Sequence, residues 1–418
     1  MSAGTHWLTA KRLTAHGLLL AVAIWSVYVW ALATPGLRDR NGNLKGTDFL
    51  HLYTLGWLAR SHDGIHLYDM DYQATLMARH VPTAAGIRYL PLYPPQVSLI
   101  FAPFALLGYT QALGLWWALS AGIYAACCYW IWRTCANVQG HRGLVVLLAI
   151  AFPGFFNLMA WGQTSALALA CFTGAFFLLS KRRDFLAGVL FGCLIYKPQL
   201  GLAAAIVFCA IRAWKIVAGA VVGSALELST GALYYGLGPL REWCGTLLRV
   251  RSALSLLEPR PYQTHCLRTF WSMILPWSTL ALGMYALSAL IVLALTIAAW
   301  RRRGVDLRIR YSALLLATVL VSPHLTVYDL VILAPMFLIL ADWMIATRDT
   351  STQSRMGTLL YLVYALPLLA PLTRWTHVQL SVLAMAALVY LLWKGSRKEA
   401  PSAAATPHSS PRVALSTL

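Results

Sequence analysis

"FLAGVLFGCLIYKPQLGLAAAIVF", residues 185–208, holds a single charged side chain inside a 27-residue apolar run that ends at Ile211. Lys197 precedes Pro198, which has no N–H and pushes the residue before it out of the helical region. The basic clusters Lys181-Arg182-Arg183 and Arg212/Lys215 flank the run. Two half-length helices meeting at Lys197-Pro198 place both clusters on one side of a bilayer, as the positive-inside rule asks. The turn then lies deep in the apolar layer and faces a cavity. An ammonium there costs several kcal/mol unless it is paired or hydrated, so it marks a candidate functional group. The alternative is a side chain that snorkels to the headgroups.

The rest of the chain has the same character. Of 418 residues, 59% are hydrophobic and 11% charged, with a mean hydropathy of +0.64. Soluble domains carry about 25% charged residues. The composition predicts an all-α, polytopic membrane protein, because backbone groups in lipid pair within helices. Hydropathy predicts about twelve spans, near 14–34, 110–132, 143–158, 163–180, 185–196, 199–211, 216–236, 279–299, 310–323, 327–346, 356–372 and 377–393. Several are shorter than a full crossing. Residues 1–396 form the membrane domain, and the Pro/Ser/Ala-rich tail 397–418 is expected to be disordered and cytoplasmic.

Most basic clusters fall on one side in this scheme, so both termini are expected in the cytoplasm. "ALA" at 31–33 resembles a signal-peptidase site. The preceding stretch is long and rich in Trp and Tyr, and an uncleaved anchor is the preferred reading. The net charge of +19 does not point to nucleic acid, since the basic residues sit between spans and 17 Trp with 19 Tyr suit interfacial belts. The cysteines show no metal spacing. Cys127, Cys128, Cys171, Cys193 and Cys209 lie in apolar runs, and a disulfide between Cys244 and Cys266 is left open.

Two outer loops are long, 35–94 and 237–268, and loops of that length are usually functional. Within the first, residues 46–72 hold Asp48, Asp63, Asp69 and Asp71, four of only 14 acidic residues. Thr47 or Asp48 is expected to cap a helix over 49–60, whose Leu50, Tyr53, Trp57 and Leu58 share one face in the interface plane. Asp48 is either that cap or a general base whose pKa an apolar wall raises. Asp69 and Asp71 read as turn residues. Residues 95–108 are apolar but too short to span, so an interfacial or re-entrant segment is expected.

Further candidates lie nearby. In "RYLPLYPP" (88–95), Arg88 is a cation and Tyr93 either stacks on a sugar or anchors at the interface. In "WGQTSALAL" (161–169), Gln163 either caps a helix or holds a hydroxylated ligand. In "SPHLTVYDLVIL" (322–333), His324 and Asp329 either pair with each other or face the cavity of Asp48, with Tyr328 between them. Arg251, Arg260 and Arg268 are external cations suited to an anionic headgroup.

Taken together, "GTDFLHLY" (46–53), "LYD" (67–69), "LYPPQVSLIFAPFALLGY" (92–109), "WGQTSALALA" (161–170), "AGVLFGCLIYKPQLGL" (187–202) and "SPHLTVYD" (322–329) resemble glycosyltransferase family 87. The resemblance implies a GT-C membrane glycosyltransferase with juxtamembrane helices in the first external loop. It implies that Asp48 is the catalytic base, and it relates His324 to a histidine-containing segment of the family. It further implies an inverting transfer of a sugar, mannose by analogy, from a polyprenyl-phosphate donor to a glycolipid or polysaccharide acceptor. The site would face the extracytoplasmic side of a multi-pass bacterial plasma-membrane protein. Lys197 and Arg88 are then the first candidates for the leaving phosphate, with the external arginines behind them. Tyr93 and Gln163 are candidates for the sugar. Expected partners are these substrates and membrane lipids, with no nucleic acid. No cofactor or metal is called for, since one phosphate leaves and no DxD motif is seen. The rival is a lipid-linked sugar flippase or transporter. It should show paired broken segments, whereas the sequence offers one, at Lys197.

Overall fold

The computed structural model describes residues 8–250, 257–302, 304–347 and 350–398. The chain opens on α1 (Ala10–Leu32), capped by the Thr9 hydroxyl, which accepts from the Arg12 N–H. The outer segment then forms α2 (Thr47–Arg60), α3 (Met70–His80) and the short α4 (Gln96–Phe101). Next come α5 (Tyr109–Thr134), α6 (Arg142–Ile150), α7 (Pro153–Trp161), α8 (Ser165–Ser180), α9 (Asp184–Gly192), α10 (Pro198–Ala210), α11 (Trp214–Tyr235) and α12 (Leu237–Arg249). Long helices over Ser278–Arg301, Leu307–Val321, Thr350–Ala365 and Leu380–Lys398 follow, among shorter pieces. Among the described residues there are only two isolated β-bridges and no strand.

The expectation of about twelve spans is corrected. Among the described residues, six helices have the length and composition to cross a membrane, or seven if Gln139–Ile150 and Pro153–Trp161, bent by 44°, count as one. Ser165–Ser180, Asp184–Tyr196, Pro198–Ala210 and Leu380–Ser396 are apolar but only 10–17 residues long. At 1.5 Å per residue such helices fall short of a core about 30 Å thick. Hydropathy sums apolar residues across a break, so it counts half-length helices as spans. The protein is an all-α, multi-pass membrane protein with interrupted helices.

The interruptions have local causes. Arg182 and Arg212 adopt φ of 56° and 58° at the reversals between α8 and α9 and between α10 and α11. Lys197 is extended (φ −133°, ψ 74°) ahead of Pro198, which opens α10. α9 and α11 meet through glycines. A methyl group added at Gly188, Gly192, Gly219 or Gly223 would run into the backbone of the other helix. Small residues at this spacing let helices in lipid pack backbone to backbone.

The first outer segment departs from expectation in two ways. α2 begins at Thr47, with Gly46 as its N-cap, so neither Thr47 nor Asp48 caps it. It is also buried on nearly every side, from Phe49 through Ala59 except Trp57, and is not an interfacial helix with one wet face. Gly56 lies against the Phe101 carbonyl, which brings α2 directly onto α4. Residues 95–108 form α4 and a short 3₁₀ turn, Phe104–Leu106, and do not span. Asp69 caps α3 by accepting from the Asp71 and Tyr72 N–H groups at 3.0 Å each. Cys244 and Cys266 are free thiols. Arg251 and the tail beyond 398 lie outside the described residues.

Candidate active site

Three chain breaks converge on one polar cluster. The first is the start of α2, where Gly46 takes φ 64° and turns the chain so that Asp48 lies in the first helical turn. The second is the link Gly162-Gln163-Thr164 between α7 and α8, where Gly162 takes φ 68°. The third is Lys197, between a 3₁₀ turn and α10. A fourth element, the 3₁₀ helix Val327–Leu333, supplies Asp329. Glycine tolerates the left-handed region at Gly46 and Gly162 at little cost.

The bonds in the cluster form one connected set. Gln163 Nε2 donates to Asp48 Oδ2 at 2.6 Å. Gln163 Oε1 accepts from the Tyr93 hydroxyl at 2.9 Å and from Lys197 Nζ at 3.3 Å. Lys197 Nζ also donates to Ser165 Oγ at 3.2 Å and to Asp329 Oδ1 at 2.9 Å. The Ser165 hydroxyl donates to the same Asp329 oxygen at 2.5 Å. The Tyr328 ring lies 5.1 Å from the ammonium, within cation–π range. Lys197 and Asp329 are buried, whereas Asp48 and Tyr93 are half-buried. Lys197 therefore does not snorkel.

Burial dominates the electrostatics of Asp48. It raises the carboxyl pKa from the ordinary value to about 6, against the lowering pull of the Gln163 amide and the Lys197 charge. A carboxylate with a pKa near 6 is ionised at neutral pH and is a stronger base than a solvated aspartate. His51, one turn further along α2, is buried with its ring parallel to Tyr89 at 5.2 Å, and burial lowers its pKa to about 4.

His324 and Asp329 do not pair with each other. Asp329 turns to Lys197, while His324 Nδ1 lies 2.7 Å from Glu258 Oε1. Arg268 also contacts Glu258 and donates to the Pro323 carbonyl. The segment is anchored by the backbone bridge between Thr264 and Thr326. Burial pushes the Glu258 carboxyl up, but His324 and Arg268 outweigh it and hold the group below its usual range.

The other expected cations are elsewhere. Arg88 is exposed and its guanidinium sits on Asp71, outside the cluster, and Arg260 is also exposed. Sequence reasoning passed over Ser165 and Glu258. Ser165 stands two residues after Gln163 at the first position of α8, where a hydroxyl between two charged groups has a use. Glu258 is a rare acidic residue in a loop of arginines. Among the described residues, no three or more His, Cys, Asp or Glu side chains are grouped to hold a metal ion. Among the described residues, broken elements are more numerous than the sequence suggested, with interruptions at Ala151–Phe152 and at Lys197.

The model of glycosyltransferase family 87 matches residues 92–323, more than half of the chain. The chain belongs to glycosyltransferase family 87. Membership makes it a glycosyltransferase and decides against a flippase as its primary activity. Tyr93, Gln163, Lys197 and Arg268 of this family 87 protein lie inside the matched stretch, while Asp48, His324, Tyr328 and Asp329 lie outside it. No curated protein and no solved structure matches the chain.

Proposed function

We propose that this glycosyltransferase moves a sugar, mannose by family analogy, from a polyprenyl-phosphate donor to a glycolipid or polysaccharide acceptor at the extracytoplasmic face. Asp48 is the general base. It takes the proton of an acceptor hydroxyl as that oxygen bonds to the anomeric carbon. The bond from that carbon to the phosphate oxygen breaks on the opposite side, so configuration inverts and polyprenyl phosphate leaves. Fixed positive charge near the leaving oxygen lowers the barrier, typically by several kcal/mol at a preorganised site. Arg268 is the candidate cation and His324 a candidate hydrogen-bond donor to that oxygen, both on the outer segment that leads into Asp329 and both held by Glu258. Tyr93, beside Asp48 through Gln163, is the candidate aromatic contact for the sugar, with Tyr328 behind it.

The observation that carries this reading is the Asp48 carboxylate itself, half-buried, hydrogen-bonded on one oxygen and raised to a pKa of about 6. The charge distribution of the loops supports the outer face. The test is sugar transfer from a synthetic polyprenyl-phosphate donor in detergent, without a sealed membrane. Donor consumption is expected, and Asp48→Asn should abolish it while the protein stays folded. An unaffected Asp48→Asn variant refutes the assigned base.

A further inference from the structure

We infer that Lys197 acts on Asp48 through Gln163, as part of a buried device that positions the base, and is not a ligand of the donor phosphate. The inference rests on the reading of Asp48 as the base.

Donor and acceptor counting leads to it. An ammonium has three N–H groups. Those of Lys197 meet Gln163 Oε1, Ser165 Oγ and Asp329 Oδ1, all within 3.3 Å. Its side chain is 7% exposed and its charge is balanced by Asp329. A phosphate would have to displace one of these partners and enter beside the Asp329 carboxylate, which repels it. The Ser165 hydrogen goes to Asp329, so its oxygen is free to accept from Lys197. Lys197 Nζ, Ser165 Oγ and Asp329 Oδ1 thus each have one consistent role.

The same counting sets the orientation of Gln163. Three donors, the Tyr93 hydroxyl, Lys197 and the Thr164 backbone N–H, converge on Oε1. That atom must be the carbonyl oxygen, because an amide nitrogen would face three donors. The NH₂ group is thereby turned to Asp48 Oδ2. Among the described residues Oδ1 of Asp48 has no hydrogen-bond partner, so one oxygen is held and the other is left to take a proton. Rotating the amide would break the three bonds to Oε1 and set the oxygen against the carboxylate. Gln163 is a positioning residue for Asp48, and Lys197, Ser165 and Asp329 position Gln163. The charged and titratable groups facing Asp48 are Lys197 and Asp329 from the two breaks and Tyr89, Tyr93, Tyr109 and Tyr328 from the surrounding elements. Removing the Gln163 bond takes away stabilisation of the charged carboxylate.

Two measurements on the purified full-length protein test this. The first uses no donor. Protonated carboxyls react with a water-soluble carbodiimide, and peptide mass spectrometry follows labelling of Asp48 against pH. In Gln163→Met the pH of half-labelling is expected to rise by about one unit. Tyr93→Phe, which removes only a hydroxyl, should shift it in the same direction by less and serves if Gln163→Met fails to fold. An unmoved midpoint in a folded variant overturns the inference. The second is steady-state transfer by the charge-neutral pair Lys197→Met/Asp329→Asn. A fall in kcat of tenfold or more is expected, with the donor KM within about threefold. A tenfold rise in donor KM at unchanged kcat makes Lys197 a phosphate ligand and overturns the inference. Wild-type protein that transfers nothing from the polyprenyl donor defeats the proposed function alone, because the labelling midpoint is read without it.

Discussion

Lys197 and Asp329, distant in sequence, form an ion pair of 2.9 Å between a break in one apolar run and the first turn of another. Their side chains are 7% and 2% exposed. Removing one partner of such a pair strands a charge and typically costs about 3–5 kcal/mol, whereas neutralising both costs far less. Lys197→Ala is therefore expected to lower the thermal unfolding temperature in detergent much more than Lys197→Met/Asp329→Asn. Equal losses would mean that the pair contributes only packing.

The pKa of Asp48 predicts a pH profile. Burial raises it to about 6. The base acts when ionised, so activity is present above that value and is lost as pH falls through it. kcat/KM should rise with pH and level off above about 7. Asp48→Asn should lose the limb together with roughly 10²–10⁴-fold of the rate. A flat profile between pH 5 and 7 contradicts the assignment.

Gly46 and Gly162 predict a coupled loss of stability and activity. Both have positive φ, 64° and 68°. An added Cβ would strike Leu113 at the first and come within 2.8 Å of Phe49 Cβ at the second. Left-handed backbone costs an L-residue about 1–2 kcal/mol before any clash. Gly162→Ala should lower the melting temperature and reduce transfer, because it displaces Gln163. The check is to compare it with alanine at Gly114, where the space is open.

Glu258 predicts acid sensitivity of the outer loop. His324 and Arg268 hold its pKa below the ordinary value, although burial alone would raise it. The stability it contributes is complete above the unfolded value near 4.3 and is lost as pH falls through the lower folded value. Limited proteolysis of the 257–268 region should accelerate below about pH 4. Glu258→Gln should show the acid rate already at neutral pH, and an unchanged rate would remove Glu258 from any anchoring role.

Much of the site was readable from residue chemistry. A lysine before a proline in an apolar run has few uses, and Asp48, Tyr93 and Gln163 each stood out as polar groups at chain breaks. What could not be read was who meets whom. His324 and Asp329 are neighbours in sequence, yet a 3₁₀ turn points Asp329 to Lys197 and leaves His324 to Glu258. Arg88 looked like a phosphate ligand because charge in a short motif draws attention, but an exposed guanidinium settles on the nearest carboxylate, Asp71. α2 misled for a related reason. The face shared by Leu50, Tyr53, Trp57 and Leu58 suggested a helix lying in the interface plane, whereas His51 and Thr54 are buried as well. The number of crossings was overcounted because hydropathy registers composition and not continuity.

The four glycines between α9 and α11 bear on how a substrate arrives. With their main chains pressed together, these helices leave no slit through which a long isoprenoid tail could thread. On the proposed reading, a lipid donor moving from the bilayer towards Asp48 approaches from another flank, so spin labels or crosslinkers on the α9–α11 face should stay silent to added donor.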